Sequence, residues 1–284
     1  ADSKRRGICL PRSKAFERNT ELEALVTYIG EKAGAFVRQV TPSADAITVH
    51  LHHSLIALPK AGYQSREFHP YSGFWQVEYM DYASAFDTPM VKRLLPRHRL
   101  QKKHPEAELS VAVEPIVYYL DPGVPEPVRS ALIDGAMWWN TAFEQIGYKN
   151  AFQVKVLPTR GWSYGAGVTD PRTGEIIKGH VTLGSLRVRQ DFLIATGLTA
   201  PFTGETADVS SQKAMALARI RQLSAHEVGH TLGLIHNFAG SANDRSTVMD
   251  YPHPKIDLEN GKISLEDAYR EGLGEWDNYA IAFG

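Results

Sequence analysis

His226-Glu227-Val228-Gly229-His230-Thr231-Leu232-Gly233-Leu234-Ile235-His236 is the stretch from which the rest of the chain is read. His226 and His230 are four residues apart, so on a helix their imidazoles stand on one face, one turn apart. Glu227 follows the first imidazole and reaches a water beside a metal without binding the metal itself. Gly233 lets the chain leave the helix and swing His236 back as a third nitrogen donor. Three imidazoles and a carboxylate at these spacings suit one zinc ion and metal-assisted hydrolysis. A bare H-E-x-x-H is short enough to arise by chance; the placed glycine and third histidine make the pattern specific. The plainer alternative is a helix carrying solvated or core histidines.

Residues 246–252 read Ser-Thr-Val-Met-Asp-Tyr-Pro. Together with the extended zinc motif, this stretch resembles the metzincin clan of zinc endopeptidases. The resemblance implies that Met249 forms an apolar floor beneath the metal. It also implies that Tyr251 stands beside the zinc, as an extra ligand or as a hydrogen-bond donor to the oxyanion. The closer resemblance is to the catalytic region of large bacterial zinc-dependent metalloproteases. It is carried by Glu114-Pro-Ile-Val-Tyr-Tyr-Leu-Asp121, Trp138-Trp-Asn-Thr-Ala-Phe-Glu144, Thr169-Asp-Pro-Arg-Thr-Gly-Glu175, the zinc motif and Gly274-Glu-Trp-Asp277.

Composition narrows the class. The chain has 284 residues, 43% hydrophobic and 22% charged, which allows one large or two small domains. With 31 basic and 32 acidic residues it carries almost no net charge, so no nucleic-acid or membrane-surface partner is expected. The basic run 92–103 reads as a solvated connector. No run of eighteen apolar residues is present, so no membrane span is expected. The start, Ala1-Asp-Ser-Lys-Arg-Arg6, lacks Met and an apolar signal core, and the chain stops abruptly at Gly284; a processed protein or an excised piece is the expectation. Cys9 is the single cysteine, so no intrachain disulfide forms. Its surroundings do not match the latency signature of some metzincin precursors, and a free thiol is expected. The family resemblance favours an extracytoplasmic location, secreted or periplasmic.

The expected fold is α/β (α+β): a metzincin-like catalytic domain at 109–284, with a mixed twisted sheet, an active-site helix and a Met turn, preceded by a β-rich region at 1–108. Leu22, Ala24 and Val26 alternate with polar neighbours, as do Ile47, Val49 and Leu51. In such a strand His50 and His52 share a face, an arrangement open to a second metal, but the sequence sets no carboxylate or cysteine beside them. A short strand is expected at 75–79. Another at 111–120, a helix at 126–146 capped by Gly147 and a strand at 152–157 make a βαβ unit. A hairpin over 163–183 turns at Asp170–Gly174. In metzincins the corresponding hairpin supplies the sheet's antiparallel edge strand, so Gly165, Ala166, Gly167 and Val168 are candidates for holding an extended polypeptide. Pro158-Thr-Arg160 is too short for the further strand the family carries before this hairpin. Residues missing from the sequence are the expected reason, ahead of a differently built sheet. Helices are expected at 185–197, at 211–232 with Ser210 or Ser211 as cap, and at 265–271 and 275–282.

The zinc site is expected to hold one ion on His226, His230 and His236, with Glu227 as general base and Gly233 and Met249 as structural parts. All three histidines bind as neutral rings, so activity should fall below about pH 6. Asp250 is a candidate partner for their second ring nitrogens. Asn237 and Phe238 are candidates for shaping the cleft. The primary reading is a zinc endopeptidase. The alternatives are a zinc amidase on cell-wall peptides and a non-catalytic metal-binding module.

Overall fold

The computed structural model describes residues 1–31, 33–157, 167–199 and 208–284. They form two compact units, Ala1–Ala61 and Gly62–Gly284.

The first unit is built on β3 (Asn19–Ile29) and β4 (Ala46–Ile56), which follow β1 (Arg6–Ile8) and β2 (Lys14–Ala15). β3 and β4 pair antiparallel over their full length, from Asn19↔Ile56 to Ile29↔Ala46. β1 and β2 pair antiparallel with β3. In β4 the expected alternation is present, Ile47, Val49 and Leu51 being less exposed than Thr48 and His50, but in β3 the buried side chains are Glu23 and Thr27, on the opposite face from the exposed Leu22. A short helix, α1 (Ala35–Val40), lies in the β3–β4 connection. Cys9 is a free, half-buried thiol.

The second unit begins with β5 (Val77–Met80) and β6 (Val91–Leu94), an antiparallel pair. Phe74 and Leu95, flanking that pair, are buried in the main core beside Trp139, Phe152, Leu234 and Met249. Residues 62–108 therefore pack with the C-terminal part of the chain, and the two compact units divide at 61/62.

The expected strand at 111–120 is two strands, β7 (Ser110–Val111) and β8 (Ile116–Leu120). Pro115 has no N–H for a ladder and interrupts the run. α2 (Val128–Gln145) follows, and Gly147, at φ 88°, ends it in the left-handed region. β9 (Tyr148–Lys149) pairs parallel with β7, and β10 (Phe152–Val156) pairs parallel with β8. The β8–α2–β10 unit is the expected βαβ crossover. β11 (Val168–Thr169) and β12 (Ile176–Lys178) form the expected hairpin around Asp170–Gly174. Asp170, almost fully buried, accepts hydrogen bonds from Arg172 and so braces the turn. Among the described residues the strands lie in several small sheets rather than one mixed sheet. The short Pro158–Arg160 connection, the start of the expected hairpin at 163–164, and the candidates Gly165 and Ala166 fall outside the described residues.

α3 (Arg187–Thr199) and α4 (Ser210–Thr231) pack together, and α4 also packs on α2. Gly135 of α2 makes this approach close: a Cβ there would overlap the Arg221 backbone of α4. The N-terminus of α4 is served by Asp208, whose Oδ1 accepts from the Ser210 backbone at 2.9 Å; the serines expected as caps are inside the helix. After the site, β13 (Asp257–Glu259) and β14 (Lys262–Ser264) form a hairpin, turned by Asn260 and Gly261 at φ 51° and 76°. Residues 265–271 form turns, not the expected helix. Leu265, Ala268 and Tyr269 are buried at the spacing that suggested a helix, packed in one cluster with Ala195 and Met215. α5 (Glu275–Phe283) closes the chain.

Candidate metal centre

The last turns of α4 carry His226, Glu227 and His230. His226 is 1% exposed, and its neighbours Ala225, Val228 and Gly229 are buried with it. The helix is pinned by α2. Trp139 of α2 donates its indole N–H to the Ala225 carbonyl at 2.8 Å, and Ser224 donates to the Leu132 carbonyl at 2.7 Å.

The helix ends as the sequence requires. Gly233 has φ 107°, a left-handed conformation, and its N–H bonds the His230 carbonyl at 3.1 Å. The Leu234 N–H reaches back to the Gly229 carbonyl at 3.0 Å, completing a Schellman-type stop. Gly233 is needed for a second reason: a Cβ there would run into the Pro96 carbonyl and the Phe74 ring. The outgoing chain then pairs with an earlier segment. The Trp75 N–H donates to the Gly233 carbonyl at 2.8 Å, and the Ile235 N–H donates to the Gly73 carbonyl at 2.9 Å. Thus the turn that delivers His236 is clamped by residues 73–75.

The three imidazoles converge. Their donor nitrogens all lie within 4.8 Å of one another, and the Nε2 atoms of His230 and His236 are 3.0 Å apart. A tetrahedral zinc with nitrogen at about 2.0–2.1 Å sets its donors roughly 3.3 Å apart, so small side-chain adjustments suffice. The opposite nitrogens of two rings are held by backbone carbonyls. His226 Nδ1 is 2.8 Å from the Val248 oxygen, and His230 Nδ1 is 2.8 Å from the Leu234 oxygen. With Nδ1–H donating, both rings present Nε2 as an acceptor to a metal. His226 Nε2 is buried and has no hydrogen-bond partner among the described residues. Such an orphan is costly unless something else satisfies it, and a metal does so. The donor set therefore fits zinc.

Electrostatics agree with neutral ligands. Burial pushes His226 down to about 4, helped by His230 and His236 and opposed by its bond to the Val248 carbonyl. His236 is also lowered, first by burial and then by His230, against the raising effect of Glu227 and Asp250. Glu227 is half-buried on α4, close enough for its charge to act on His236.

Met249 is fully buried beneath this helix. A Cβ on Gly229 would strike the Met249 sulfur and the Trp139 ring, so Gly229 lets the floor approach. Tyr251 stands at the mouth, 52% exposed, with ring centroids 4.5 Å from His236 and 5.0 Å from His226. Phe238 lies 5.3 Å from the His236 ring. Asn237 ties the two loops together, its N–H donating to the Met249 carbonyl at 2.8 Å. Asp250 is not the partner of the His226 or His230 second nitrogens. Its carboxylate accepts from the Ser241 and Tyr251 backbone N–H groups, both at 2.6 Å, because it faces its own loop.

Asp277 is a part of the site to which sequence reasoning assigned no role. Its carboxylate, fully buried, accepts from Thr247 Oγ1 at 2.5 Å, the Val248 N–H at 2.9 Å and the Gly274 N–H at 2.8 Å. Burial still pushes Asp277 up to about 6 against those three donors. Asp277 thereby fixes the segment of the Met turn whose Val248 carbonyl orients His226. Gln222 donates to the same carbonyl at 3.0 Å. The available signal was an acidic residue three positions after a helix-starting glycine.

The β11–β12 hairpin reaches the end of α4. Tyr118 of β8 donates to Thr231 Oγ1 at 2.8 Å, and Gly179, just past β12, lies against both side chains. Val168 pairs with Lys178, and Gly167 precedes it.

Residues 208–284 match a family model described as Met-zincin. That stretch contains the three converging histidines, Met249 and Tyr251, so the candidate centre lies in the part of the chain that is similar to Met-zincins. Residues 1–103 match a second model, described as a domain of unknown function (DUF5117). No curated protein and no solved structure matches the chain. No helix among the described residues is long and apolar enough to cross a membrane.

Proposed function

We propose that this chain is a zinc-dependent endopeptidase. The observation that carries the reading is the buried, unpartnered Nε2 of His226 converging with the nitrogens of His230 and His236, with Glu227 one residue away on the same helix. Bound zinc would polarise the scissile carbonyl and acidify the attacking water. The Glu227 carboxylate accepts the proton of that water and returns it to the leaving amine nitrogen. The Tyr251 hydroxyl, at the mouth beside His226 and His236, donates to the oxyanion as it develops. The backbone of Gly167 and Val168 binds the polypeptide in extended form, as an added strand. We place the activity outside the cytoplasm.

Glu227→Gln tests the mechanism. Zinc content by atomic absorption should stay near that of the parent chain, while casein hydrolysis falls to background. Chelation should inactivate the parent, and zinc should restore it. A Glu227→Gln chain that digests casein at the parental rate would sink the assignment. A casein digest beside a cell-wall digest separates the endopeptidase from an amidase.

A further inference from the structure

Trp75 lies outside the stretch that matches the Met-zincin model and inside the stretch of unknown function. It nevertheless stands at the metal centre. Its ring centroid is 6.4 Å from that of His230, and the residue is 53% exposed. The position is fixed by its surroundings. Phe74, one residue earlier, is 3% exposed in the main core and pairs with Leu234. Gly73, at φ 77°, lies so close to the Trp276 ring that a Cβ would overlap it. The Trp75 backbone N–H is bound to Gly233. The indole is thus held beside the ligands on a rigid backbone while much of its surface remains open to solvent.

Aromatic rings flank the histidine cluster on either side. Trp75 neighbours His230, His230 neighbours His236, and His236 neighbours Phe238, with successive centroids 6.4, 4.6 and 5.3 Å apart. Phe238 is 66% exposed. A preorganised, solvent-facing indole binds an apolar or aromatic side chain at little entropic cost, because its backbone is already fixed and its side chain has few rotamers. No charged partner for a substrate is needed for such contacts.

We infer that Trp75 is a specificity-determining residue, which selects an aromatic or large aliphatic side chain of the substrate near the scissile bond, on the His230 side of the metal. The inference rests on the reading of this site as one that binds peptides.

The test uses the full chain carrying Glu227→Gln, loaded with zinc, so that binding is read without turnover. The probes are a capped hexa-alanine peptide and six variants with phenylalanine at each position in turn, titrated calorimetrically. One position should bind more tightly than alanine. Trp75→Ala in the same background should cut that preference about 3- to 10-fold, the range of an aromatic contact. Trp75→Phe should keep most of it, and zinc content should not change. An unchanged preference, an equal loss for all peptides, or loss of zinc from Trp75→Ala would each overturn the inference. Failure of the endopeptidase reading appears separately, as absence of cleavage of the same peptides by the chain with Glu227 intact.

Discussion

His226 and His230 lie four residues apart on a helix; His50 and His52 lie two apart on a strand. On the helix the two rings are 4.7 Å apart, and with His236 they turn their nitrogens toward one point. On the strand, residues two apart stand on one face about 6.7 Å apart, but His50 and His52 do not gather with a third donor around one point among the described residues. Each strand histidine turns instead to a carboxylate on the neighbouring strand. His50 Nδ1 lies 2.7 Å from Glu23, and His52 Nε2 lies 2.6 Å from Glu21. The register pairs His50 with Leu25 and His52 with Glu23, so both contacts are diagonal cross-strand pairs. The carboxylates missing from the sequence reading were there, on β3. Among the described residues, the triad is the group of three or more His, Cys, Asp or Glu whose donor atoms all lie within 4.8 Å. The helix pair differs from the strand pair in its hydrogen bonds: backbone carbonyls hold one nitrogen of each ring and leave the other for a metal.

The largest expected effect breaks the comparison directly. His226→Ala should lose the zinc and with it all hydrolysis. His50→Ala combined with His52→Ala should leave zinc content and hydrolysis at parental values. Metal analysis after dialysis, beside a casein assay, reads both. Zinc lost from the strand variant would mean that the strand histidines are also part of a metal site.

A smaller effect sharpens the role of the carbonyls. Asp277→Ala leaves three buried donors, from Thr247, Val248 and Gly274, without their acceptor. Each such donor costs about 1–3 kcal/mol, so destabilisation of about 3 kcal/mol or more is expected. The Val248 carbonyl that orients His226 should move as well, and loss of such an outer partner lowers metal affinity about 10- to 100-fold. Urea unfolding and a competitive zinc titration measure the two effects. Weakened stability with unchanged zinc affinity would separate Asp277 from the metal.

The helix-borne half of this site was legible because it is local. A four-residue spacing puts His226 and His230 on one face whatever the tertiary structure, and Gly233 announces the helix stop. The rest depends on residues distant in sequence. Gly73 and Trp75 meet Gly233 and Ile235 from the far half of the chain, and Asp277 reaches back to Thr247 and Val248; no periodicity records such pairs. The βαβ unit was legible from its hydrophobic patterns, but Pro115 split its first strand. The β13–β14 hairpin had a readable Asn260-Gly261 turn, but its strands are three residues each, too short to show an alternating pattern.

Acidification of the metal-free chain should draw the smallest distinction between the clusters. His226 has a folded-state pKa near 4, lowered chiefly by burial, against an ordinary 6.5. Its contribution is fully present above pH 6.5 and is lost as pH falls towards 4, at most about 3 kcal/mol. Glu23 behaves otherwise. Burial alone would raise its pKa, but His50 and Arg12 outweigh burial and hold it below 4.5. Its contribution is present above that value and is lost only as pH falls further. His50 is half-exposed, so water screens the pair and the effect is small. Hydrogen exchange of the metal-free chain between pH 7 and 4 should therefore show α4 loosening first, with the β3–β4 ladder still protected. His50→Gln should move only the later, more acidic step. Loosening of both regions in one step at the same pH would mean that the two clusters do not titrate independently.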